Sequence, residues 1–254
     1  MIAYGIDVGG TGVKGAPVDL ETGELTEERV RIKTPQSATP EAILATCLEV
    51  VRQSEWSGPV GCGFPAVIKG GVIQTAANID KSNIGFDLDS NLERELGYPA
   101  RVLNDADAAG VAEIRWGAGR DNDGVVFMLT LGTGIGTALF VGGNLVPNTE
   151  LGHIEIDGED AETHASDSAR KRDDLKWKEY AARLDKYITT IENLLWPDLI
   201  IIGGGISKKS EKFIPRLSAR TEVVPAQMLN EAGIAGAALS SVPEPALAQG
   251  HSPG

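Results

Sequence analysis

Asp7-Val8-Gly9-Gly10-Thr11, Leu131-Gly132-Thr133-Gly134-Ile135-Gly136 and Gly203-Gly204-Gly205-Ile206-Ser207 each follow an apolar run, and Leu103-Asn104-Asp105-Ala106 lies between the first two. Glycine lets a backbone turn with positive φ, or come close enough to an anion for its N–H groups to face the oxygens. Three such loops around one Asn-Asp pair point to phosphate handling beside a proton acceptor. Phosphoryl transfer asks for positioning and charge neutralisation, so a site needs backbone donors, a metal anchor and an acceptor for a hydroxyl proton. Asp7 is the candidate Mg2+ anchor, through water. Gly9, Gly10, Thr11 and Gly12 are the candidate phosphate wrap, with Lys14 adding positive charge. Gly132, Thr133 and Gly134 are a second clamp, and Thr133 offers a hydroxyl donor. The plainer alternative for the first segment is an Asp-Gly turn in a hairpin.

Asp105 ends an apolar strand, where a carboxylate either caps a helix or does chemistry; Ala106 to Ile114 is a candidate helix, so capping is a live alternative. Asn104 beside it favours chemistry, because an amide and a carboxylate together suit neighbouring sugar hydroxyls. Glu150 and His153 stand three apart in Glu150-Leu151-Gly152-His153, close enough to grip adjacent hydroxyls of one ring. A satisfied structural histidine is the competing reading.

The elements that must carry these residues are legible from periodicity. Ile2–Asp7 and Val13–Val18 predict a hairpin over the first loop, with a third strand near Val30 to Lys33. Thr39-Pro40-Glu41 opens a helix whose apolar stripe is Ile43, Leu44, Cys47, Leu48 and Val51. A strand near Val60 enters Gly63-Phe64-Pro65-Ala66, Asp87 caps a helix to Leu96, and Ala100–Leu103 is a buried strand. The second half repeats the first: Val125–Leu131 and Ile135–Val141 are again two apolar runs about a glycine loop. The echo predicts duplicated lobes facing a cleft. Residues 158–174 read as a polar loop or short helical excursion, and Leu175–Leu195 as the longest helix, stopped by Pro197. Leu199–Ile202 feeds the third loop, where Ser207 is a candidate cap, and Glu231–Ser240 is a last small-residue helix. The expected division is a small lobe over 1–104, joined by the helix at about 231–241, a large lobe over 105–241, and a disordered tail at 242–254.

The 254 residues carry a net charge of −13, which argues against a nucleic-acid partner because that mode needs excess Lys and Arg. No apolar run reaches membrane-span length and no basic leader precedes the first strand, so the expectation is a cytoplasmic protein without a membrane partner. Cys47 and Cys62 sit in apolar settings and read as reduced core residues. With so few cysteines and histidines, no Cys-rich zinc site is expected.

In order, Asp7–Thr11, Leu103–Asp107, Leu131–Gly136, Glu150–His153 and Gly203–Ser207 resemble the phosphate, catalytic, second phosphate, sugar and adenosine elements of ROK-family sugar kinases. The resemblance runs from about residue 2 to residue 240. It implies an α/β, actin-like (ribonuclease H-like) two-lobed ATPase fold with a mixed sheet in each lobe. It also implies Asn104, Asp105, Glu150 and His153 as hexose ligands, with Asp105 as base towards the 6-hydroxyl. Glu162 matches the family's further sugar glutamate, and Gly63, Phe64, Pro65 and Asn78 sit where the first lobe would close on the ring. Gly203, Gly204, Gly205 and Ile206 would meet the nucleotide. Most ROK kinases carry a Cys-rich zinc segment between the sugar histidine and that glutamate, whereas residues 154–161 contain no cysteine. The shortened form resembles the actinobacterial polyphosphate glucokinases. That implies glucose, or mannose, as acceptor, inorganic polyphosphate with or without ATP as donor, Mg2+, no zinc, and a homodimer.

A linear polyphosphate would need a basic track, for which Lys14, Lys81, Arg115, Arg170, Lys171, Arg172, Lys208 and Lys209 are the candidates. Two rivals remain at this point. A strictly ATP-dependent glucokinase shares every catalytic residue. A sugar-sensing ROK protein without catalysis would leave Asp7, Lys14 and Asp105 without a role.

Overall fold

The computed structural model describes residues 1–77 and 79–243, so Asn78 and most of the expected tail lie outside the described residues. The chain divides into two compact units: Met1–Ala112 with the described residues from Glu231 onward, and Glu113–Asn230.

The first unit is built on β1 (Ile2–Gly9), β2 (Gly12–Asp19), β3 (Val30–Ile32), β4 (Val60–Phe64), the short pair β5 (Ile68–Lys69) and β6 (Val72–Ile73), and β7 (Ala100–Asn104). Its helices are α1 (Pro40–Gln53), α2 (Leu88–Leu96) and the start of α3 (Asp105–Arg115). The main sheet has the order β3-β2-β1-β4-β7, with β1–β2 and β2–β3 antiparallel and β1–β4 and β4–β7 parallel. The β1–β2 register pairs Gly9 with Gly12, leaving a two-residue turn of Gly10 and Thr11. α1 forms as its sequence signals require: Thr39 accepts from the Ala42 N–H, Pro40 occupies the first turn, and Ile43, Cys47, Leu48, Val50 and Val51 are buried against the sheet core. α2 is capped by Asp87, whose carboxylate accepts the Ser90 N–H.

The second unit contains β8 (Val125–Leu131), β9 (Ile135–Val141), β10 (Asn144–Val146), the two-residue strands β11 (Glu155–Ile156) and β12 (Glu159–Asp160), β13 (Leu199–Gly203) and β14 (Glu222–Pro225). Its helices are α4 (Ala161–Ala165), α5 (Asp167–Arg172) and α6 (Trp177–Leu195). The sheet order is β10-β9-β8-β13-β14, with β8–β9 and β9–β10 antiparallel and β13 parallel to both β8 and β14. This is the strand pattern of the first unit repeated, as expected of the actin-like, ribonuclease H-like fold. α6 buries Tyr180, Leu184, Tyr187, Ile188 and Ile191, and it ends at Trp196, which adopts φ +48°, one residue before Pro197. Residues 158–174 are more ordered than their polarity suggests. The β11–β12 hairpin and two short helices organise them, with Asp160 and Ser166 as N-caps.

The chain returns to the first unit as α7 (Ala232–Ser240). Its small residues let it touch backbone to backbone: a Cβ on Gly61 of β4 would stand 1.7 Å from the Ala237 carbonyl oxygen, and one on Gly236 would stand 1.7 Å from that of Ala108 in α3. α7 therefore fixes where β4 and the first turns of α3 lie. Both cysteines are buried and unbridged. Among the described residues, no helix is long and apolar enough to cross a membrane.

Candidate functional site

In the first unit, the β1–β2 register sets Asp7 opposite Lys14, and the β2–β3 register sets Lys14 opposite Arg31. Cross-strand neighbours on one face lie close enough to interact, and Lys14 Nζ donates to Asp7 Oδ2 at 2.9 Å. Arg31 reaches the turn itself, donating to the Thr11 carbonyl at 3.3 Å, while the Thr34 hydroxyl donates to the Gly9 carbonyl at 2.6 Å. Neither Arg31 nor Thr34 was expected at this loop; the pairing of β3 with β2 brings Arg31 there, and Thr34 lies two residues beyond the end of β3. Thr11 is exposed.

β7 delivers Asn104 and Asp105. The competing roles at this pair resolve in an instructive way, because Asn104 caps α3. Its Oδ1 accepts the N–H groups of Ala106 at 2.8 Å and Asp107 at 3.1 Å, and its Nδ2 donates to the Ala66 carbonyl at 3.2 Å. Asn104 is 9 % exposed, so one amide hydrogen is what it can still offer a ligand. Asp105 is the first residue of α3, half-buried, with Oδ1 accepting the Ala106 N–H at 2.8 Å. The positive end of a helix is a favourable place for negative charge. Behind it, Gly63 is buried and Phe64 turns its side chain wholly into the core, so these two can meet a ligand only through backbone; Pro65 is half-buried. Asn78 lies outside the described residues.

In the second unit, four segments converge on the turn between β8 and β9. The Ile135 N–H donates to Glu162 Oε2 at 2.8 Å, so the glutamate expected at a sugar ring also holds the clamp loop. The Ser168 N–H donates to the Gly132 carbonyl at 3.1 Å. The Leu151 N–H donates to Thr137 Oγ1 at 3.2 Å, which seats Glu150 and His153 beside β9. Gly204, at φ +80°, passes so near Leu131 that a Cβ would stand 2.4 Å from its carbonyl oxygen. Thr133 is exposed, and among the described residues its hydroxyl has no protein partner.

The third loop departs from expectation beyond Gly204. Ser207 does not cap a helix. It lies inside a 3-10 run, Gly205–Lys212, kinked at Lys209, and its hydroxyl donates to the Gly204 carbonyl at 2.8 Å. Ile206 is buried in the core, so it can offer a nucleotide only backbone.

Asp160 joins the cluster of Glu150 and His153 and was missed from the sequence. His153 Nδ1 lies 2.9 Å from Asp160 Oδ2, and Nε2 lies 3.8 Å from Glu150 Oε2. A carboxylate on Nδ1 assigns the proton there and leaves Nε2 as the variable nitrogen. The Asp160 bond holds the His153 pKa above its ordinary value, against the opposing effect of partial burial. Partial burial of Glu150, whose side chain keeps 44 % of its surface exposed, pushes that carboxyl pKa up; His153 pulls it down and the Glu162 charge adds to the rise. Because the His153 pKa is raised on folding, the stability it contributes is fully present below the unfolded value of about 6.5. That contribution is lost as pH rises through the folded value. In Asp160→Asn, the His153 imidazole is expected to titrate at lower pH than in the wild type, followed by NMR of the ring protons. An unchanged midpoint would remove Asp160 from this role.

Gly10, Gly132 and Gly205, one from each loop, share a further property. None has a left-handed φ, and a Cβ on any of them would meet nothing within 4 Å. Neither turn geometry nor packing asks for glycine at these positions. What a side chain would take away is open access to the backbone, the feature that anion-binding loops need.

A model of the ROK family matches residues 3–171. The chain belongs to the ROK family. It is 50 % identical over 240 residues to the polyphosphate glucokinase of Mycobacterium tuberculosis strain H37Rv, covering 94 % of this chain and 91 % of that protein. Against the polyphosphate glucokinase of Mycobacterium leprae it is 46 % identical over 239 residues, covering 94 % of this chain and 74 % of that one. The crystal structure of an inorganic polyphosphate/ATP-glucomannokinase from Arthrobacter sp. strain KM superposes with a TM-score of 0.89 at 49 % identity, over 98 % of this chain and 99 % of that chain.

Proposed function

We infer that this protein phosphorylates glucose at its 6-hydroxyl, giving glucose 6-phosphate, with inorganic polyphosphate as donor and ATP as a second donor. The observation that carries the phosphate chemistry is the bare backbone at Gly10, Gly132 and Gly205, where no structural demand for glycine exists. The relatives at 46–50 % identity over 94 % of the chain supply the choice of glucose and polyphosphate.

In this reading Asp105 accepts the proton of the 6-hydroxyl as that oxygen attacks the terminal phosphorus of the donor. The P–O bond to the rest of the donor breaks and the shortened chain leaves. Asn104, Glu150, His153 and Glu162 hold the remaining hydroxyls, with the backbone of Gly63 to Pro65 against the ring. Gly9, Gly10, Thr11 and Gly12 receive the transferring group, and Lys14 and Arg31 offset its charge. Gly132, Thr133 and Gly134 hold the donor from their own loop, and the backbone of Gly203 to Ile206 meets the part of the donor beyond it. Mannose differs from glucose in one hydroxyl, and the glucomannokinase relative makes it the natural second acceptor.

Kinases of this kind use a divalent cation, and Asp7 fits Mg2+. One carboxylate oxygen is held by Lys14, and among the described residues no group of three or more His, Cys, Asp or Glu could cage a metal. Mg2+ is commonly held by one or two carboxylates together with water and substrate phosphates. When bound, it neutralises charge on the donor phosphates.

Glucose 6-phosphate formation with Mg2+ and nucleotide-free polyphosphate tests the reading. Turnover on polyphosphate is the expected result. Turnover on ATP with none on polyphosphate would replace it with an ATP-dependent glucokinase.

A further inference from the structure

Trp177, the first residue of α6, is surrounded by positive charge. The Arg170 guanidinium carbon lies 4.6 Å from the centre of its ring, Lys212 Nζ 5.6 Å and Lys209 Nζ 6.0 Å. The indole is held firmly: it stacks on buried Phe213 at 6.0 Å and 14°, and Phe213 in turn meets Tyr180 edge-on at 5.8 Å. Cations are attracted to an aromatic face, and one such contact is ordinary. Three on one ring gather like charges about a single indole.

One acid nearby pairs with the arginine of the cluster. Asp167 bonds Arg170 at 2.9 Å and Lys171 at 2.6 Å. Lys209 and Lys212 are exposed, and among the described residues neither has a carboxylate within 4 Å. In a chain of net charge −13, two exposed lysines that pair with no carboxylate among the described residues share one aromatic ring with Arg170.

The cluster is tied to both glycine loops of its unit. Arg170 stands two residues beyond Ser168, whose N–H donates to the Gly132 carbonyl at 3.1 Å. Lys209 and Lys212 belong to the run Gly205–Lys212 that continues directly from the third loop. The patch is thus joined to the second loop by one backbone hydrogen bond and to the third by the chain itself.

We propose that Arg170, Lys209 and Lys212, gathered around Trp177, bind the part of a linear polyphosphate chain that lies beyond the phosphates engaged by the glycine loops. The proposal rests on the reading of the protein as a polyphosphate-using kinase. Lysine presents a compact charge on a flexible stem without a fixed hydrogen-bond geometry, which suits a flexible chain of repeating charges better than a nucleoside. Trp177 is already stacked on Phe213 and ringed by cations, so the patch offers charge rather than recognition of a base edge.

The test measures direct binding of long-chain sodium polyphosphate and of tripolyphosphate to the full chain, in wild type, Lys209→Ala/Lys212→Ala and Lys209→Arg/Lys212→Arg. For the alanine pair, the Kd for the long chain is expected to rise at least about tenfold. Its dependence on log salt should flatten by about two units of slope, by counterion release from two fewer contacts. Tripolyphosphate binding and the melting temperature should stay as in the wild type, and the arginine pair should keep long-chain affinity. Long-chain binding by the alanine pair within twofold of wild type would overturn the proposal, as would an equal loss for tripolyphosphate. Stronger binding of single-stranded DNA of matched charge would mark the patch as a nucleic-acid surface and overturn it too. Wild-type protein that binds long chains through these lysines yet transfers no phosphoryl group to glucose would refute the kinase reading alone.

Discussion

Asp105→Asn is expected to lower kcat by about 10^3-fold, within the range of about 10^2–10^4 that a positioned general base contributes, while KM for glucose changes by no more than about twofold. The substitution keeps side-chain shape, and it keeps an oxygen to accept the Ala106 N–H that Asp105 Oδ1 now receives at 2.8 Å. The start of α3 does not depend on it, because Asn104 makes the capping bonds to Ala106 and Asp107. The variant is therefore expected to remove proton acceptance while keeping the bonds that start α3. A thousandfold loss corresponds to about 4 kcal/mol of transition-state stabilisation. Steady-state kinetics at saturating polyphosphate, with thermal unfolding as a control, checks the result. Turnover near the wild-type level would mean that another group takes the proton.

That Asn104 makes the bonds to Ala106 and Asp107 at the start of α3 was not legible in the sequence. Either residue type is a good cap, and the choice depends on the backbone torsions at the end of β7, which no pattern in the sequence encodes. Local signals carried well: the Thr39-Pro40 helix start, the Asp87 cap and the alternation that makes β1–β2 a hairpin were all legible. So was the repeat of two apolar runs about a glycine loop, which the two matching sheet orders bear out. What escaped depends on pairing or tertiary approach. Arg31 reaches the first loop only because β3 pairs with β2 in one particular register. Asp160 meets His153 because a hairpin of two-residue strands, too short to leave a periodicity, folds it back. Glu162 was legible as a candidate ligand, whereas its bond to the Ile135 N–H was not. Ser207 looked like a helix cap by residue type, yet the chain after Gly204 winds into a kinked 3-10 run, and the hydroxyl turns back to the Gly204 carbonyl.

Alanine at glycine should separate the two reasons for which this chain uses that residue. At Gly61 a methyl would stand 1.7 Å from the Ala237 carbonyl oxygen, so α7 would have to move off β4. Overpacking of this kind costs about 1–3 kcal/mol or more, and Gly61→Ala is expected to lower the melting temperature by several degrees. At Gly10 and Gly132 a methyl meets nothing within 4 Å and no left-handed φ resists it. Replacing glycine at such a position reduces unfolded-chain entropy and stabilises by about 0.4–1 kcal/mol. Gly10→Ala and Gly132→Ala are therefore expected to melt at or slightly above the wild-type temperature. In the same variants kcat/KM for the phosphoryl donor should fall about a hundredfold, the equivalent of about 2.7 kcal/mol, because the methyl occupies the space a phosphate oxygen needs to approach the backbone N–H groups. Binding of glucose alone, followed calorimetrically, should be unchanged in both. If Gly10→Ala or Gly132→Ala keeps wild-type donor kinetics, open backbone at that loop is not what the donor uses. The contrast with Gly61 guards against a trivial explanation, since a general intolerance of glycine replacement would lower stability and activity together at all three positions.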